Sequence, residues 1–214
     1  MAKAMARILS FFTHPLWMIT FGLFIYLKLD PYAFGVYDWT LRIPFVITVF
    51  MMTFFFPALV IFLLLKLDFI KSIELHTARE RIIPYIATSI FYLWLYITTR
   101  SNPEIAALFK VFVLGTVITL FLLFFINNFS KASAHMAGLA GLLMLTIALA
   151  YRLGPNDGLG WLTSRPSNLP SLVVLIAGLT GSARLKLEAH TWQELLGGFF
   201  IGLLGQLIAL KIYF

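Results

Sequence analysis

Pro44–Leu65 reads PFVITVFMMTFFFPALVIFLLL, an uncharged run as long as the roughly 20 apolar residues that a helix needs to cross a bilayer core. It assigns the chain to the membrane. Working outward, six further stretches share its character: Phe11–Leu27, Ile82–Thr99, Ile105–Ile126, Met136–Tyr151, Pro166–Ala183 and Leu195–Leu210. The composition agrees. Of 214 residues, 61% are apolar and 12% charged, whereas a soluble domain sits near 45–50% apolar and about a quarter charged. Barrel-type alternation is absent. The expected fold is all-α, a polytopic transmembrane helical bundle of about seven spans that forms a single membrane domain over residues 1–214. The opening MAKAMARILSFFTHPLW lacks the layout of a cleaved signal, so the first apolar stretch is expected to be retained.

The absence of cysteine excludes disulfides, thiolate metal sites and a cysteine nucleophile. A net charge of +7 falls on little aqueous surface. Nucleic acid explains it poorly, because no soluble domain or basic helix presents the charge; anionic lipid or phosphate explains it better. Gly198 and Gly202 are four apart in the last span, as are Ala137 and Gly141 in the fifth, spacings that let helix backbones approach closely.

The chemistry gathers in the connections. Lys66–Arg81, Asn127–His135 and Ser182–Glu194 are rich in groups that bind or process anions, and span parity puts all three on one membrane face. That face carries His76, His135 and His190, while His14, before Pro15 in the first span, stands apart. Within Arg184-Leu-Lys-Leu-Glu-Ala-His190-Thr-Trp-Gln-Glu194, a helical reading puts His190 and Glu194 on one face at i and i+4. The carboxylate would then fix the imidazole tautomer and leave Nε2 as nucleophile or base. On the pair alone, a solvated helix start is the favoured reading. Lys131 and Ser133 read as phosphate contacts or as a membrane-flanking lysine and a helix cap. His135, beside an apolar span, calls for a partner. Arg79 and Arg81 are phosphate contacts or ordinary span-flanking cations. Zinc would suit two histidines and a glutamate, but the surrounding cations favour an anion, so no metal is expected.

These residues resemble a known family. The order Arg79, Arg81 and Pro84, then Ser133-x-His135, then Arg184-x5-His190-x3-Glu194, is similar to the three signature motifs of the type 2 phosphatidic acid phosphatase superfamily. Gly198 and Gly202 continue the third motif as that family's acid-x3-Gly-x3-Gly helix. The resemblance runs from about Lys71 to Gly202, with a phosphatase-like core over about 67–205, the C-terminal two thirds. The chain departs from the pattern at Ala183 (usually Ser), Glu194 (usually Asp), Ala134 (usually Gly) and in the wider spacing of Lys71 from Arg79 and of Arg81 from Pro84.

The resemblance implies a divergent, active membrane enzyme. It would remove phosphate from a lipid-linked phosphate or diphosphate without metal or cofactor. His190 would be the nucleophile that forms a phosphohistidine, His135 the acid to the departing oxygen, and Glu194 the partner of His190. Arg184, Ser133, Lys131, Arg81 and Arg79 would hold the phosphoryl oxygens. Activity would survive EDTA, yield to vanadate and follow a bell-shaped pH profile. A lipid phosphotransferase, a lipid transporter or flippase, and an inactive lipid-binding scaffold are the other classes. Substrate and membrane lipids are the expected partners, with no nucleic acid. The Lys/Arg distribution does not orient the chain. A multi-pass protein of the bacterial inner (plasma) membrane is the default expectation, and the resemblance favours an extracytoplasmic site.

Overall fold

A computed structural model describes residues 1–35, 38–75, 77–154 and 168–214. His76 and the predicted start of the sixth span at Pro166 lie outside the described residues. The described residues form α1 (Ala2–Phe12), α2 (Met18–Leu29), α3 (Trp39–Phe50), α4 (Phe56–Lys66), α5 (Ala78–Arg100), α6 (Ala107–Ile126), α7 (Ala134–Leu153), α8 (Asn168–Lys186) and α9 (Trp192–Tyr213). Short 3₁₀ turns at Pro15–Trp17 and Pro31–Phe34 and a π-turn at Met51–Phe55 complete them. Among the described residues, seven helices are long and apolar enough to span a membrane: Ala2–Leu29, Thr40–Lys66, Ala78–Arg100, Ala107–Ile126, Ala134–Leu153, Asn168–Lys186 and Trp192–Tyr213. The protein is an all-helical, multi-pass bundle.

Two spans are interrupted where proline removes a backbone donor. Pro57, in the first turn of α4, has no N–H for the carbonyl of Thr53 four residues earlier. The chain loosens into the π-turn there, and the Tyr92 hydroxyl donates to the stranded Thr53 carbonyl at 3.0 Å. The Thr20 and Thr53 hydroxyls meet nearby at 3.0 Å. Pro44–Leu65, expected as one plain helix, is therefore one span with a buried polar seam. The first span breaks at Thr13–Trp17 around Pro15, and His14 caps the 3₁₀ turn by accepting from the Leu16 N–H.

α9 is the packing axis on the site side and lies against α6 and α7. A Cβ on Gly198 would collide with the Ser133 carbonyl, one on Gly202 with the Ala137 carbonyl, and one on Gly205 with the Thr119 hydroxyl. Gly198 and Gly202 thus meet the start and the small-residue face of α7, as the spacing of Gly198, Gly202 and Ala137 predicts, while Gly205 meets α6. At the face away from the three histidine-bearing connections, the Lys110 ammonium donates to the Asn102 carbonyl at 2.6 Å and Arg152 pairs with Asp30 at 3.2 Å.

Candidate functional site

The three loops are stitched together at one end of the bundle. Thr77 and Glu80 close a capping box at the start of α5, and Glu80 also accepts from the Lys71 N–H at 2.9 Å, folding the preceding loop back onto the helix. Arg81 then points inward. Its Nε donates to the Leu75 carbonyl at 2.9 Å and its Nη1 to Asn127 Oδ1 at 3.0 Å, while the Asn127 amide donates to the Ala78 carbonyl. The Ser133 N–H donates to the Glu194 carbonyl at 3.0 Å, joining the second loop to the third.

α9 starts from a second capping box, Thr191 with Glu194. His190 therefore precedes the helix rather than lying on it. It still meets Glu194, because the box turns that carboxylate back toward the helix start: Glu194 Oε2 accepts from the Thr191 N–H at 2.9 Å and lies 3.3 Å from His190 Nδ1. The Lys131 carbonyl lies 3.1 Å from the same nitrogen. Both neighbours accept only, so Nδ1 carries the proton and Nε2 keeps its lone pair. Burial, then Arg184 and Lys131, push the His190 pKa down to about 4 against the opposing pull of Glu194. The pair is thus a hydrogen bond to a neutral imidazole, not an ion pair, at neutral pH. Burial and the repulsion of Arg81 likewise lower the Lys131 pKa.

These groups border a cavity of about 460 Å³. Arg81, Lys131, Arg184, His135 and His190 all line it. Arg184 Nε is buried, and among the described residues no acceptor meets it. Such a donor is costly to leave unsatisfied and is suited to an anionic ligand. No group of three or more potential metal ligands occurs among the described residues.

Two expected contacts lie elsewhere. Ser133 is fully buried outside the cavity wall; its hydroxyl caps α7 by accepting from the Met136 N–H at 3.5 Å, and its backbone packs against Gly198. In this structure it serves as a helix cap. Arg79 is exposed and does not line the cavity, as suits a span-flanking cation. Glu194 stands behind His190 rather than in the wall.

The first helix adds what the sequence reading missed. Arg7, Ser10 and His14 line the cavity. His135 Nε2 lies 3.1 Å from the Ser10 carbonyl, which fixes the proton on that nitrogen and leaves Nδ1 as the free one. The His14 and His135 rings pack edge to face with centroids 5.3 Å apart. The signal for His14 was present: an ionisable residue inside an apolar span is a functional candidate by default. No protein-family model matches the chain, and neither does any curated protein or solved structure.

Proposed function

We propose that the protein removes phosphate from a lipid-linked phosphate or diphosphate through a phosphohistidine at His190, as a divergent relative of the type 2 phosphatidic acid phosphatases. The observation that carries this reading is the pairing of a neutral His190, its Nε2 lone pair released by two acceptors at Nδ1, with an Arg184 donor that no acceptor among the described residues meets, both on one cavity between apolar helices. In the proposed reaction Nε2 attacks phosphorus and the bond from phosphorus to the lipid oxygen breaks. His135, whose Nε2 proton is held by the Ser10 carbonyl, takes up a second proton on Nδ1 when the anionic phosphate binds and gives that proton to the departing oxygen. Water then hydrolyses the N–P bond, releasing phosphate and restoring the imidazole. Arg184, Lys131 and Arg81 stabilise the charge on the transferring group. The lipid chain stays between helices, and the site faces the extracytoplasmic side of a bacterial plasma membrane.

Phosphate release from a panel of isoprenoid diphosphates and phospholipid phosphates in detergent tests the reading. Release that persists in EDTA, is inhibited by vanadate and falls at least about 10³-fold in His190→Ala is expected. Undiminished release in that variant contradicts the mechanism, and label passing to an acceptor lipid identifies a phosphotransferase.

The reach of the cavity to Gln206, deep in the last span, favours a second reading, a lipid transporter with a mid-membrane site. Counterflow in liposomes that survives replacement of both His135 and His190 would select it.

A further inference from the structure

Deeper in the bundle than the histidines, an amide borders the cavity. Gln206, 2% exposed, projects from α9 into the cavity wall. Its Nε2 donates to the Phe112 carbonyl at 3.3 Å and to the Thr116 hydroxyl at 3.4 Å. A carbonyl accepts only, so the NH₂ must face Phe112 and the amide cannot be turned round. Oε1 is left with no donor among the described residues.

The position is built. A Cβ on Gly115 would collide with Oε1, and one on Gly141 would come within 3.1 Å of Nε2. Two glycines on facing helices therefore make the space in which this amide sits. Interhelical adhesion explains the NH₂ but not the oxygen. A lone acceptor is a poor floor for a hydrocarbon chain end, because burying it against methylenes forfeits a hydrogen bond.

Resting on the lipid-phosphate reading, we infer that Gln206 Oε1 accepts a hydrogen bond from a hydroxyl borne on the chain of the bound lipid. Gly141 is six residues along α7 from His135, so the floor lies about 9 Å deeper than that histidine. The preferred ligand is a lipid phosphate hydroxylated at about that depth, rather than one with an unbroken hydrocarbon chain. A bound water offers the same O–H chemistry, and the experiment separates the two.

Two non-hydrolysable phosphonate lipids of equal length, one with a chain hydroxyl about 9 Å below the phosphonate and one without, are titrated into the detergent-solubilised full chain. The expected result is about 3- to 10-fold tighter binding of the hydroxylated lipid, the scale of one hydrogen bond, and equal binding of the two in Gln206→Met. Equal binding in the wild type assigns the acceptor to water and overturns the inference while leaving the proposed function standing. A preference that survives in Gln206→Met also overturns it. If neither phosphonate binds, the lipid-phosphate reading falls, and this inference with it. The wild-type comparison decides the matter even if Gln206→Met does not fold.

Discussion

His190 presents Nε2 to the cavity because the Lys131 carbonyl and the Glu194 carboxylate both claim Nδ1. With the imidazole pKa held near 4, the nucleophile is neutral at any ordinary pH. Protonation would occupy the attacking lone pair, so activity falls as pH drops through the folded-state pKa. The acid limb of kcat/KM is therefore expected near 4, well below the 6.5 of an unperturbed imidazole. Arg184 is among the groups that push this pKa down, so Arg184→Gln moves the limb to higher pH besides lowering the rate. A pH–rate profile of both proteins checks this; a limb at 6.5 that ignores Arg184 contradicts it. Reading the sequence found the His190–Glu194 pair and Arg184. It did not find the Ser133 outcome, because a serine at a helix start caps or binds ligand depending on what covers it, and Gly198 of a distant helix decides that here. The sign of the His190 shift likewise depended on distances between loops far apart in sequence.

At the level of elements, the site depends on how closely α9 lies against α7. Gly198 and Gly197 are neighbours with opposite surroundings: a Cβ on Gly198 meets Ser133 backbone, while one on Gly197 meets nothing within 4 Å. Gly198→Ala is expected to destabilise by about 1–3 kcal/mol through overpacking and to weaken the Ser133–Glu194 link that joins the second and third loops. Gly197→Ala is expected to be neutral or to stabilise by up to about 1 kcal/mol through helix propensity. Melting in detergent checks the pair; equal shifts would contradict the packing account. The helices themselves were legible, since long apolar runs allow few alternatives. Their interruptions were not. Pro57 signals a break, but the π-turn depends on Tyr92 reaching the Thr53 carbonyl from another helix. The capping box Thr191–Glu194 was readable as T-x-x-E, and it explains why His190 lies outside α9 yet still touches Glu194.

For the whole molecule, the first span is the largest departure from the sequence reading. Its broken helix brings Arg7 and His14 to the same cavity as residues more than a hundred positions later. Long-range placement of this kind carries no periodic signal. The same parity sets all three loops and the chain start on one face, where Lys3 and Glu188 approach to 3.7 Å. Because the chain contains no cysteine, one introduced thiol reports that face. Lys186→Cys, exposed at the end of α8, is expected to react with a membrane-impermeant maleimide added outside intact cells; reaction only after lysis reverses the proposed orientation. The proposed reaction passes through a covalent phosphohistidine, which can be trapped. Wild-type protein mixed with a phosphorus-labelled lipid phosphate is quenched within a turnover at alkaline pH and digested, and the peptides are sequenced by mass spectrometry. Acid-labile label is expected on His190, and none in His190→Ala. Phosphate released by a protein that never carries label on His190, or that carries it on another residue, would contradict the account.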